Sequence, residues 1–268
     1  MSSRLEKAIE KVRSAEQARR AALPRDAARN PEASGIYRIL APTQVKPDTM
    51  ERNKIMPSIG DKAAVTAYKV LRTRVLQRLR SNDWHTFIVT ATDTGEGKTL
   101  TASNLAMSIS RDVNQSVFLV DLDLQRPSIA KYFGLDVKLG IGEYLKGEAE
   151  IEDILYRPED MERIVIVPSS GPLENASELI GSPRMKQFMT WLRERSTPPI
   201  AIFDMPPVLA CDDVLAFLPS IDAVLFVVAE EGTERNRLNR ALDMLGEFNL
   251  LGAVLNKSKE HQKTSPYY

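Results

Sequence analysis

Gly95, Glu96, Gly97, Lys98 and Thr99 stand in a spacing suited to one task, holding a row of phosphates. Glycines two apart let the backbone curl so that successive N–H groups point inward at phosphate oxygens. A lysine placed directly after them reaches the outer phosphates, and the next hydroxyl can ligate Mg2+. The loop follows an apolar run, Phe87–Thr90, and precedes a helical pattern carried by Leu100, Leu105 and Ile109. Strand, glycine-bearing loop and helix, in that order, are the context a P-loop requires, and the helix start adds its positive dipole end. Thr92 occupies the place where such a loop usually opens with glycine, so the loop is a variant. Thr94, Gly95, Glu96, Gly97, Lys98, Thr99 and Leu100 are the expected nucleotide-binding positions.

Two other apolar runs end in carboxylates. Phe118–Val120 leads into Asp121 and Asp123, and Ile200–Phe203 leads into Asp204, followed by Pro206 and Pro207. Residues i and i+2 share one side of a strand, so Asp121 and Asp123 could approach one site if the extended geometry persists. Mg2+ takes hard oxygen ligands and keeps several waters; Thr99, phosphate oxygens, Asp121, Asp123 and Asp204 form a sufficient set. Ligands of open parallel sheets bind at the carboxyl ends of strands, which is where all three motifs fall. One strand-end aspartate is more often a helix cap. Three in register with a phosphate loop point to nucleotide binding.

The elements that must position these residues are legible as alternating units. Apolar runs occur at Phe87–Thr90, Val117–Val120, Ile164–Val167, Ile200–Phe203, Ala223–Val228 and Gly252–Leu255, most of them fully apolar rather than alternating, which suits strands buried on both faces. Helix-period stretches lie between several of them, for example Leu238, Leu242 and Leu245. The expected fold is α/β: a mainly parallel P-loop NTPase sheet with helices on both faces. Before it, Val65, Tyr68, Leu71, Val75 and Leu79 predict a helix over 61–80. Further upstream, Leu5, Ile9 and Val12 predict an amphipathic helix over 3–22, followed by a linker to Ile59 punctuated by Pro31, Pro42, Pro47 and Pro57. The division is therefore a helix and proline-containing linker over 1–60, a nucleotide-binding domain over 61–259, and a mobile tail over 260–268 ending in Tyr267 and Tyr268.

The 268 residues carry 36 basic and 36 acidic side chains and are 43% hydrophobic. That excludes wholesale disorder, and the zero net charge argues against bulk nucleic-acid coating. The first 30 residues nonetheless hold a local excess of four positive charges. Cys211, the one cysteine, has no internal disulfide partner, and no run of 18 apolar residues marks a transmembrane segment. The expectation is a cytoplasmic protein.

The ordered set of variant P-loop, Asp121–Pro127 and the Phe203–Pro207 motif resembles the bacterial tyrosine autokinases. Those proteins carry a P-loop, a second aspartate-rich motif and a third of the form apolar-Asp-x-Pro-Pro. The resemblance covers roughly Ala63 to Lys257, with support from Gly140–Gly147 and Glu174–Ile180. The short start, proline linker and terminal tyrosine pair are similar to the exosortase-associated branch that serves exopolysaccharide production. The resemblance implies Mg2+ and ATP as cofactors and transfer of the γ-phosphoryl to C-terminal tyrosines, here Tyr267 and Tyr268. It further implies that Asp121 helps activate the phenol near the metal, that Asp123 and Asp204 complete the metal's surroundings, and that Asn256 contacts the base. An ordinary strand-end turn residue is an equal alternative for Asn256. The resemblance implies, as activator, a membrane-embedded polysaccharide chain-length regulator that would hold the protein at the inner membrane, and possible homo-oligomers.

The tail supports the acceptor assignment on reach alone. Twelve residues separate Asn256 from Tyr268 and span about 40 Å when extended. Tyr37 is a secondary candidate. Two departures stand out: the self-association motif Glu-x-x-Arg-x-x-Arg of the family reads Thr66, Lys69 and Arg72 here, and the tyrosine cluster is short. The rival reading is a positioning ATPase of the MinD/ParA kind, a binding switch. Those carry a lysine five residues before the P-loop lysine, and Asp93 stands there. A kinase-dead nucleotide-binding subunit is the third reading.

Overall fold

The computed structural model describes residues 40–56, 62–161, 163–195, 198–230, 232–246 and 248–258. The expected helix over 3–22, Tyr37 and the tail tyrosines lie outside the described residues. Six strands form one parallel sheet: β2 (Thr86–Ala91), β3 (Val117–Asp121), β5 (Ile164–Val167), β6 (Ile200–Asp204), β7 (Ala223–Ala229) and β8 (Leu250–Asn256). Their order is β5-β3-β6-β2-β7-β8, with every neighbouring pair parallel. All six coincide with the apolar runs; five are covered on both faces, whereas β8, expected to be buried likewise, lies at the sheet edge and is exposed or half-buried at most positions.

The period of two sorts the strand residues into two cores. One face gathers Ile88, Phe118, Val120, Phe203 and Phe226; the other gathers Phe87, Val89, Leu119, Ile202 and Leu225. Helices α2 (Lys62–Asn82) and α3 (Lys98–Ile109) cover the second face. Helix α3 is buried almost all round, between the sheet and α2. The first face is covered by α5 (Ile141–Lys146), α6 (Ala176–Ile180), α7 (Pro183–Arg193), α8 (Asp213–Phe217) and α9 (Arg235–Leu245), while the short α4 (Ile129–Phe133) adds Ile129 and Phe133 to the second core. Helix α7 opens on Ser182, whose hydroxyl accepts the Met185 N–H, with Pro183 in the first turn.

The stretch expected as linker is, over 40–56, part of the fold. Strand β1 (Pro42–Thr43) pairs in parallel with β4 (Arg157–Pro158), and helix α1 (Pro47–Arg52) follows. Met50, Ile55 and Met56 are buried in the α2/α3 core, each contributing about 1.5–3 kcal/mol of apolar transfer. The Lys46 N–H donates to the Phe133 carbonyl, and the Asn53 amide donates to the Lys131 and Tyr132 carbonyls, so this strap lies along α4. Asn104, fully buried on α3, accepts the Met56 N–H at 2.8 Å and donates to the Lys54 carbonyl at 2.9 Å. Prolines here shape a fitted strap rather than a tether.

Candidate functional site

The phosphate loop leaves β2, the strand flanked by β6 on one side and β7 on the other, and enters α3. Gly95 and Gly97 adopt φ of 77° and 97°, the left-handed conformations that let the loop curl. Gly97 is required for a second reason: a Cβ there would lie 2.0 Å from the Asn256 amide nitrogen. Asn256, at the end of β8, donates that amide to the Glu96 carbonyl at 2.8 Å. It therefore clamps the loop from the neighbouring strand end.

Glu96 braces the loop from within. Its side chain is buried, and one carboxylate oxygen accepts the N–H groups of Thr92 (2.8 Å) and Asp93 (3.1 Å). The other accepts the Thr233 hydroxyl, which itself accepts the Ala229 N–H. Thr92, in place of the usual opening glycine, needs no left-handed backbone, and its buried hydroxyl has no partner. The Asp93 carboxylate is taken by the Arg237 guanidinium of α9 in a bidentate pair, one arm at 2.8 Å. Glu96, expected among nucleotide contacts, thus turns its side chain toward the protein; Leu100 likewise packs partly into the core. Thr233 and Arg237 had no local sequence signal, since they lie 137 and 144 residues from their partners.

Lys98 is 7% exposed, with its ammonium 3.9 Å from Asp123. The Thr99 hydroxyl donates to Asp204 at 2.5 Å and accepts the Ser128 hydroxyl at 3.2 Å. Asp121 and Asp204 are direct partners in the β3–β6 register, which places their backbones about 4.8 Å apart. Both are fully buried. Asp121 accepts the N–H groups of Ser128 and Ile129 at 2.9 Å through one oxygen, while its other oxygen and one oxygen of Asp204 have no partner.

The strand ends at Asp121, so the shared strand face expected for Asp121 and Asp123 does not persist. Asp123 turns to Lys98 and accepts the Arg126 N–H, while Asp121 goes with Asp204. Among the described residues no three acidic, histidine or cysteine side chains form a ready metal cage.

Electrostatics follow from this burial. Desolvation, then the neighbouring Asp204, pushes the Asp121 carboxyl well above the usual range. Asp204 is pushed up by burial to about 7, with Lys98 and the Thr99 hydroxyl opposing. Asp123 is raised by burial and partly restored by Lys98. A buried carboxylate oxygen without a partner costs about 1–3 kcal/mol or more, and two side by side ask for a cation. The Thr99 proton is committed to Asp204 and one lone pair to the Ser128 hydroxyl, leaving the other for a ligand role. The residues fit a divalent cation held by Thr99, Asp121, Asp204 and phosphate oxygens. Burial pushes the Cys211 thiol up to about 12, which favours its neutral form.

A family model described as the CobQ/CobB/MinD/ParA nucleotide binding domain matches residues 87–267. The tyrosine-protein kinase YwqD of Bacillus subtilis (strain 168) is 28% identical over 221 residues, covering 81% of this chain and 91% of YwqD. The tyrosine-protein kinase etk of Escherichia coli (strain K12) is 27% identical over 208 residues, covering 77% of this chain but 28% of etk. The chain thus spans nearly all of one relative and about a quarter of the other. The kinase domain of Escherichia coli ETK superposes with a TM-score of 0.67 at 26% identity, over 76% of this chain and 80% of that domain. The match over 87–267 starts in β2 and takes in the phosphate loop and all three aspartates, and on it the chain belongs to the CobQ/CobB/MinD/ParA nucleotide-binding domain family.

Proposed function

We propose that this chain is a Mg2+- and ATP-dependent protein-tyrosine autokinase whose acceptors are Tyr267 and Tyr268. The observation that carries the reading is the buried pair of partnerless oxygens on Asp121 and Asp204 beside the Thr99 hydroxyl, at the mouth of a glycine loop bearing Lys98. The printed names of YwqD and etk support protein tyrosine as the acceptor class.

Backbone N–H groups of residues 95–99 and the start of α3 cradle the phosphates, and Lys98 neutralises charge on the outer ones. A bound Mg2+ supplies charge neutralisation at the transferring phosphoryl group. Asp123 is the carboxylate an incoming phenol can approach, since it keeps 7% exposure while Asp121 is sealed. A phenol of pKa about 10 gives up its proton readily enough for a carboxylate base, and burial makes Asp123 a stronger one. In-line positioning and charge stabilisation supply the rest. The membrane-embedded polysaccharide regulator, the role in exopolysaccharide export and the placement at the inner membrane belong to the same proposal and rest on the resemblance; no described helix is long and apolar enough to cross a membrane.

The switch reading has Asp93 against it, since the position that would need a free lysine carries a carboxylate already paired with Arg237. The test incubates purified protein with Mg2+ and ATP and probes for phosphotyrosine, beside Lys98→Met and a Tyr267→Phe/Tyr268→Phe double variant. Phosphotyrosine lost in both variants is the expected result. ATP hydrolysis with no phosphotyrosine would overturn the kinase assignment in favour of the switch, and signal persisting in the double variant would move the acceptor elsewhere.

A further inference from the structure

Ser128 opens α4, the place in a helix where a serine hydroxyl ordinarily turns back to accept an N–H of the first turn. Here the side chain makes no such bond. The N–H groups of Ser128 and Ile129 go instead to one Asp121 oxygen, both at 2.9 Å. The far end of α4 is held by the strap, where the Lys46 N–H donates to the Phe133 carbonyl at 3.1 Å. Both ends of α4 are thus secured by other residues. The Ser128 hydroxyl is released from its usual duty, and it donates to the Thr99 hydroxyl at 3.2 Å.

That contact lies inside the cation site. A hydroxyl oxygen has one proton to give and two lone pairs. The Thr99 proton goes to Asp204 at 2.5 Å and Ser128 takes one lone pair, so a single direction on Thr99 is left for a ligand. Without the Ser128 hydroxyl, both lone pairs would compete for that role. The difference matters most to a small, exacting ion. Mg2+ demands near-ideal octahedral geometry at about 2.0–2.1 Å, whereas Ca2+ accepts irregular shells of about six to eight oxygens at about 2.3–2.6 Å. One segment therefore brings two things to the site: the Asp121 carboxylate and, seven residues on, a hydroxyl that orients Thr99.

We propose that Ser128 is a positioning residue of the cation site, whose hydroxyl fixes the one lone pair of Thr99 that receives Mg2+. Ser128 acts through Thr99 and touches neither substrate nor the transferred group. The proposal rests on Mg2+ and nucleotide binding at this site. At 3.2 Å the bond is long for a hydroxyl pair, for which about 2.7–2.8 Å is usual, so it supplies direction more than strength. Its loss is worth about three- to tenfold in Mg2+ affinity.

The test measures ADP binding to the full chain by calorimetry in EDTA, in Mg2+ and in Ca2+, for the wild type, Ser128→Ala and Ser128→Thr. ADP affinity in EDTA and the metal-free thermal transition should stay near those of the wild type in both variants. The gain in ADP affinity on adding Mg2+ should fall about three- to tenfold in Ser128→Ala, with a smaller fall in Ca2+. Ser128→Thr, which keeps the hydroxyl, should recover most of the gain. A merely structural serine would weaken ADP binding in EDTA and in Mg2+ alike; a gain left unchanged in this way would overturn the proposal. So would equal falls with Mg2+ and Ca2+. A wild type that gains nothing from Mg2+ would instead overturn the cation reading, and the proposal with it.

Discussion

Replacing Asp204 by asparagine should stabilise the metal-free protein at alkaline pH while removing its response to Mg2+. Asp204 is fully buried, and its folded-state pKa is pushed up to about 7 from the ordinary 3.8. A carboxyl raised in this way keeps its proton in the folded state after the unfolded chain has released it. Its contribution is complete below the unfolded value and is lost progressively until the pH passes the folded value. Between about pH 5.5 and about pH 8 the wild type crosses roughly 1.5 of those pH units, a loss of about 2 kcal/mol at about 1.4 kcal/mol per unit. The asparagine side chain would keep an oxygen to accept the Thr99 hydroxyl and has no charge to desolvate, so it escapes that loss. Relief of the repulsion felt by Asp121 acts in the same direction. Urea unfolding in EDTA at the two pH values gives the readout as a double difference, which cancels titrations common to both proteins. In melting temperature the gain is roughly 5 °C for a chain of this size. Adding Mg2+ with nucleotide should then raise the wild-type transition and leave the variant's unmoved. A stability gap that stays constant or narrows between the two pH values would refute the reasoning, as would Mg2+-dependent stabilisation of the variant.

Gly97→Ala forces a Cβ to within 2.0 Å of the Asn256 amide at a φ of 97°, so nucleotide binding measured by calorimetry should fall at least about tenfold, with a stability loss of about 1–3 kcal/mol. Glu96→Ala leaves the Thr92 and Asp93 N–H groups and the Thr233 hydroxyl without their acceptor, so urea unfolding should report about 2–4 kcal/mol lost, and Glu96→Gln should recover part of it. Asn104→Ala removes both bonds that fix residues 54–56; the cost should be about 1–3 kcal/mol, and limited proteolysis should cut near Lys54 at least several times faster.

Five of the six strands were readable because burial on both faces leaves a continuous apolar run that needs no partner to be recognised; β8, at the sheet edge, is apolar without that burial. Lys98 and Thr99 were readable because their chemistry is confined to one loop between a strand and a helix. The strap over 40–56 was hidden for the opposite reason. A strand of two residues and a helix of six offer no period to count, and their fixing bonds come from Phe133 and Asn104, far along the chain. The division of the aspartates was equally hidden, since it depends on where β3 stops pairing: Asp121 still has Asp204 across the ladder, and Asp123 falls beyond its end. The bracing of the loop by Glu96, Thr233, Arg237 and Asn256 arises wholly from strand order, which brings the ends of β7 and β8 beside β2.

The strap gives the molecule a mechanical input. It is bonded to the last turn of α4, whose opening N–H groups hold Asp121, and to the middle of α3, whose first residues are Lys98 and Thr99. Any tension applied to the chain ahead of Leu40 enters the fold along this seam. It meets the Arg157 side chain and the β1–β4 pairing first and then passes to α4 and α3, so both halves of the phosphate and cation site share one pull, much as a drawstring draws on two sides of the mouth of a bag.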